Sequence, residues 1–415
     1  MLCILRGAPT ALIKVLGAVH DLAAQPSHSA VKANAVLARG RAMIPETPMP
    51  LPLRALCLCV ALLISAHAAL AADGDRQAFE IERFKLESGS TLPKAVVMYA
   101  TYGKLNAARD NVILLPSHYM ADAHGYEWLI GPKKALDPNK YFLVATELFG
   151  NGKSSSPSNT PEPFHGPRFP VTTIRDNVEA THRLLGEKFG VTHLRAVIGF
   201  SMGGQQAFQW AVSYPTFQDC VVVTSSTAKT YPHGVVRLEG QIAAIEADPV
   251  FNGGDYTRPP TKGLEAFGMV WAGWLYSQEW WRLELWKANS PPGTTFESLV
   301  DRFHHNFIPG ADANDLILQM HTWERHNVGS TPGFGGDVER ALRSIKVPVL
   351  YMPSETDMYF PIDDAKYEAK FIPHLIFAPI PSLWGHTAGA ASNPADSKFL
   401  NETIGKFLTD APVRP

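Results

Sequence analysis

The chain has 415 residues, 46% of them hydrophobic and 18% charged, with a formal net charge of -2. That is ample apolar material for a large core, in one big domain or two ordinary ones. No basic patch invites nucleic acid and no acidic tail invites a basic partner, so an electrostatic binder is excluded as a class.

The chain does not begin as fold. Residues 1–48 carry no clear pattern and read as a non-structural upstream segment, with the true start expected at Met49 or Met43. From Met49 a short basic region around Arg54 leads into an apolar run, Ala55 to Ile64, and then Ala69-Leu70-Ala71. A basic start, a short apolar stretch and an A-x-A site describe a secretory signal peptide over 49–72. The run is too short to span a bilayer comfortably, so no membrane association is expected after cleavage. Cleavage would leave Cys220 as the single cysteine, and therefore no intramolecular disulfide in an exported protein.

Two alternating runs, Phe79 to Glu87 and Lys94 to Tyr102, are separated by a turn at Gly89 and predict paired strands. Asn111 to Pro116 and Tyr141 to Thr146 are short apolar runs of the kind that parallel strands buried on both faces require. Thr173 to Phe189 has helical periodicity, with Thr172 or Thr173 placed to cap it. Leu194 to Phe200, Asp219 to Thr224, Val347 to Met352 and His374 to Ile380 complete the strands, and Asp396 to Leu408 closes the chain as a helix. Strands alternating with helices imply an α/β class with a mostly parallel sheet coated on both faces. Between 225 and 336 the alternation breaks into a helical stretch holding Trp271, Trp274, Trp280, Trp281, Trp286 and Trp323. This is expected to be a cap, inserted into a core made of 73–224 and 337–415. Most of its rings should be packing, with one or two lining a pocket.

The stretch Leu194 to Ala207 carries the chemistry. An apolar strand runs into Gly199-Phe200-Ser201-Met202-Gly203 and leaves as a helix. A serine at so sharp a corner is pushed out of the sheet, and the flanking glycines leave no Cβ to crowd it. The helix start behind it aims free N–H groups at an acyl oxygen. A serine needs a base, and the base needs a carboxylate to fix it. Both should follow the serine, at carboxyl ends of strands. Asp357 and His386 meet that order. Glu355, Asp363 and Asp364 are rival acids, Glu355 the closest; His304, His305, His321 and His326 are rival bases. The oxyanion N–H groups should be those of Met202 and, in the loop after 111–116, Tyr119, with His118 or Met120 as possible shifts. Asp122, His118 and His124 match no metal-ligand spacing. No phosphate-binding or dinucleotide glycine pattern is present, so no metal and no bound cofactor is expected.

The motifs Ala100-Thr101-Tyr102-Gly103-Lys104-Leu105-Asn106, Leu129-Ile130-Gly131-Pro132, Phe169 to Asp176 and Ser201-Met202-Gly203-Gly204 resemble homoserine O-acetyltransferases. Asp248-Pro249, Gly253-Gly254-Asp255-Tyr256, Asp312-Ala313-Asn314 and Gly385-His386 continue the likeness across about 79–408. The resemblance implies an α/β-hydrolase fold with a helical cap, and Ser201, Asp357 and His386 as the triad. It also has departures. Gly268 and Tyr276 stand where the family's cap arginines, which hold an amino-acid carboxylate, would fall. Thr387 replaces the aspartate after the histidine, and Ser117-His118-Tyr119-Met120-Ala121 replaces the family's oxyanion loop.

The sequence therefore reads as a secreted or periplasmic esterase that forms an acyl-enzyme on Ser201, taking a small-molecule ester and no nucleic acid. An O-acetyltransferase using acetyl-CoA as co-substrate is the alternative, and a non-catalytic binding protein of the same fold the remote one. A homodimer through the cap is admitted. Should the amino-acid reading hold, Arg237, Arg258 or Arg282 would have to supply the missing positive charge.

Overall fold

The computed structural model describes residues 73–306 and 308–413. The upstream segment and the signal peptide read from the sequence lie outside the described residues. All that follows belongs to one contact unit, Ala71–Pro415.

Eight strands form one sheet: β1 Gln77–Lys85, β2 Thr91–Tyr102, β3 Val112–Pro116, β4 Phe142–Thr146, β5 Leu194–Phe200, β6 Gln218–Thr224, β7 Val349–Met352 and β8 Leu375–Phe377. Their order is β1-β2-β4-β3-β5-β6-β7-β8. The first hairpin and the β2–β4 pair are antiparallel, and every later pair is parallel. The reason lies in side-chain patterning. β3, β4, β5 and β6 are buried at every position, which only a sheet covered on both faces can satisfy. Alternate residues feed two separate cores. Val112, Leu114, Val221 and Val223 pack on one face, and Ile113, Leu115, Cys220 and Val222 on the other.

The covering helices are α1 Ile174–Arg183, α2 Met202–Ser213 and, after five further helices, α8 Val338–Arg343, α9 Ile362–Ala369 and α10 Pro394–Asp410. The cap of the predicted helix α1 is Thr173, not Thr172. Its hydroxyl accepts the N–H of Asp176, and Asp176 returns the bond to the Thr173 amide, a reciprocal pair that satisfies two orphan donors.

Between β6 and β7 the chain makes α3 Pro232–Glu246, α4 Thr261–Leu275, α5 Gln278–Arg282, α6 Phe296–Asn306 and α7 Ala313–Glu324. Two aromatic clusters organise this helical stretch. Trp280, Trp286, Leu299 and Phe303 form one. The other joins Leu238, Phe267, Trp271 and Trp323 to Tyr119, Met202, Tyr359 and Phe360, residues that follow the carboxyl ends of β3, β5 and β7. Four of the six tryptophans are buried packing, and Trp274 and Trp281 are half-buried. Removing a ring such as Trp323 would cost about 3–5 kcal/mol. Among the described residues no helix is long and apolar enough to cross a membrane.

Candidate active site

Ser201 sits between β5 and α2 with φ 57° and ψ -128°, a conformation an L-residue holds only under constraint. Its N–H donates to Thr224 O at 3.1 Å, and its carbonyl accepts from Gly204 and Gln205 at 2.8 and 3.1 Å. The two glycines of the motif are steric necessities. A Cβ on Gly199 would lie 2.0 Å from the Gly203 carbonyl oxygen, and one on Gly203 would lie 2.3 Å from the Pro116 carbonyl oxygen. Neither backbone contact could give way.

The structure brings the three predicted side chains together. Ser201 Oγ and His386 Nε2 are 2.9 Å apart. His386 Nδ1 and Asp357 Oδ2 are 2.8 Å apart. Asp357 Oδ1 also accepts the backbone N–H groups of Tyr359 and Phe360 at 2.8 and 3.1 Å, so neither carboxylate oxygen is left idle. All three residues are at least 95% buried. The rings of Phe200, Tyr359 and Phe360 pack around the imidazole at 4.8, 4.8 and 5.5 Å.

The rivals lie elsewhere. Glu355 and Asp363 are exposed, and Asp364 is half-buried on α9. His305 bonds Glu265, His321 bonds Glu324, and burial pushes His326 down to about 3. Asp122 pairs with Arg76 and His124 with Glu127. Among the described residues, the close group of metal-ligand types is Glu265 on α4 with His304 and His305 on α6, and it includes none of the three residues above.

Met202 heads α2, where a backbone N–H has no carbonyl one turn back. Tyr119 lies in the loop after β3, its ring stacked 4.9 Å from Trp271 and its hydroxyl donating to Leu316 O. The alternative donor Met120 is spoken for, since its N–H donates to Gln319 Oε1 at 2.6 Å. His118 is half-buried beside the Phe200 ring, and burial together with the neighbouring His386 pushes it down to about 4. It is neutral at physiological pH.

Sequence reasoning missed the residues that tie this loop down. Tyr126 donates its hydroxyl to Pro116 O at 2.6 Å and accepts the Phe200 N–H at 3.0 Å, so one side chain joins the end of β3 to the serine turn. Gln206 Nε2 bonds Ser117 O at 2.9 Å. No periodicity marks such residues, because they act through one polar atom each. Of the three arginines that the amino-acid reading offers, Arg258 and Arg282 are exposed. Arg237 is 4% exposed and lies over the Tyr359 ring at 4.1 Å, one ring away from His386. Gly268 is buried, and Tyr276 is stacked 3.7 Å on Trp280, so neither position carries charge.

A mostly parallel sheet presenting serine, imidazole and carboxylate in this sequence order is the architecture of acyl-transferring α/β hydrolases. The comparisons agree. A family model for the alpha/beta hydrolase fold matches residues 112–246. An ethyl acetate hydrolase of Pseudomonas veronii is 36% identical over 319 residues, 75% of this chain and 89% of that protein. A homoserine O-acetyltransferase of Trichormus variabilis is 31% identical over 324 residues, 74% of this chain and 87% of its own. The solved structure of the acetyl esterase MekB superposes with a TM-score of 0.78 at 34% identity, covering 81% of this chain and 97% of that one. The chain belongs to the α/β-hydrolase family that contains these esterases and homoserine O-acetyltransferases, and it is an enzyme.

Proposed function

We propose that the protein hydrolyses a small ester through an acyl-enzyme on Ser201. His386 Nε2 takes the hydroxyl proton as Ser201 Oγ attacks the ester carbonyl carbon. The N–H groups of Met202 and Tyr119 hold the oxygen that becomes negative. The bond to the alcohol oxygen breaks, and His386 returns the proton to that oxygen. Water then attacks the acyl carbon, gives a proton to His386, and the acid leaves as Ser201 recovers its hydrogen. Asp357 holds the imidazole in the tautomer this requires and stabilises its protonated form.

The observation that carries this reading is the unbroken run of hydrogen bonds from Ser201 through His386 to Asp357. The esterase relatives add support for water as the acceptor. Export through the segment 49–72 belongs to the same proposal, and it separates the enzyme from cytoplasmic acetyl-CoA.

A second reading, acetyl transfer from acetyl-CoA to homoserine, is favoured by the transferase relatives. The two are separated by a panel of short esters assayed with and without acetyl-CoA and homoserine. Ester hydrolysis should dominate. Saturable O-acetylhomoserine formation at a rate matching the best ester would replace the hydrolase reading.

A further inference from the structure

Of Arg237, Arg258 and Arg282, Arg237 lies near Ser201, His386 and Asp357, and among the described residues it forms no ion pair. Its guanidinium carbon lies 4.1 Å from the centre of the Tyr359 ring and 4.6 Å from that of Trp323. The Tyr359 ring is in turn 4.8 Å from the His386 imidazole. Nη1 donates to Gln241 Oε1 at 2.9 Å. Nε and Nη2 have no partner, and neither does the neighbouring Gln241 Nε2. Gln241 is fully buried and Arg237 nearly so. Asp357, whose negative charge acts on this guanidinium, is already committed to His386 and two backbone amides. Burial outweighs that attraction and pulls Arg237 down to about 10, which still leaves it charged at neutral pH.

Ring faces attract a cation but satisfy none of its N–H groups. Nε and Nη2 form the side-on edge of the guanidinium, two parallel donors matched to the two oxygens of a carboxylate. A buried cation with that edge unpaired is costly unless something anionic meets it for part of the enzyme's cycle. Resting on the esterase reading, we propose that Arg237, helped by Gln241, is a specificity residue that recognises a carboxylate on the substrate. The preferred substrates are then short esters with a carboxylate a few bonds from the reacting carbonyl. The fork offers donors alone and no partner for an ammonium, so an acid ester suits it better than an amino-acid ester.

Isosteric pairs test this directly. O-acetylglycolate is compared with O-acetylglycolamide, and monomethyl succinate with methyl succinamate, following kcat/KM for each. The wild-type enzyme should favour the charged member of at least one pair by tenfold or more, and that preference should collapse in Arg237→Met. Gln241→Leu, which keeps the charge, should reduce the preference less. An equal loss on charged and neutral members would show that Arg237 acts only through Asp357 or by packing, and would overturn the proposal. So would neutral-ester turnover by the wild type with no preference for either charged member, a result that needs no variant to fold. Absence of turnover on every ester would instead sink the esterase reading, and this proposal with it.

Discussion

Gln319, on α7, accepts the backbone N–H of Met120 at 2.6 Å and donates to Phe149 O at 3.0 Å. A residue from the helical insertion thereby fixes the loop that carries Tyr119. Gln319→Leu should leave the Met120 amide unsatisfied and let that loop drift. Small misplacements of reacting groups cost up to about 100-fold. The expected outcome is a fall in kcat on a short ester with KM changed little. Unchanged kcat in a variant of wild-type melting temperature would refute it.

Ser201→Ala should abolish ester turnover, by on the order of 10⁶ in kcat, with the fold retained. A fluorophosphonate probe should label the wild type and not the variant. Residual turnover above about a per cent of wild type would mean that another group attacks the ester.

Tyr126→Phe removes one oxygen and strands two buried backbone groups, Pro116 O and Phe200 N–H. Each unsatisfied group costs about 1–3 kcal/mol. Denaturant unfolding should register a loss of about 2–6 kcal/mol for the two groups together, with kcat reduced because both groups flank the site. A variant as stable as the wild type would show that these bonds exchange freely with water.

Glu368 is fully buried beside Ala228 N–H and the Tyr351 hydroxyl, and burial pushes its carboxyl up to about 8 despite those donors. The folded chain therefore holds a proton that the unfolded chain releases near 4.5. Stability from this group is complete below that value and is lost as pH rises through about 8. Asp315, raised by burial to about 7 where it binds Ser158, acts in the same direction. Melting temperature should fall across this range in the wild type, and less steeply in Glu368→Gln. Identical slopes would mean that Glu368 is ionised in the folded protein.

Expression with export in a bacterial host should yield a mature chain beginning near Ala72 or Asp73. N-terminal sequencing decides it. A mature protein that still contains Leu53 to Ile64 would contradict export.

The strands were legible because burial on both faces leaves uninterrupted apolar runs, and β3, β4, β5 and β6 are such runs. β8 was overdrawn. The run from His374 to Ile380 yields only Leu375–Phe377 as strand, because Pro379 has no N–H for the ladder and Ile380 pairs only through an isolated bridge to Ser354. The meeting of Ser201, Asp357 and His386 could be read because chain order and strand ends constrain them. Tyr126, Gln206 and Gln319 could not, since each bonds a backbone atom far away in sequence and leaves no local mark. Arg237 was visible as a charge. That it is buried with an unpaired donor edge depends on Tyr359 and Trp323, which only the folded chain brings to it.

Ser201 and His386 are 185 positions apart, and the whole helical stretch α3 to α7 is threaded between them. Contacts at such separation form late, after the entropy of closing a very long loop has been met. The serine turn belongs to the first half of the polypeptide, whereas the imidazole bonded to it arrives only after the last strand. An incomplete chain still emerging from a ribosome thus carries the serine without the imidazole that bonds it. On the esterase reading, reactivity is withheld until the C-terminal segment has docked, and insertions into the intervening helices can lengthen that delay without moving either residue.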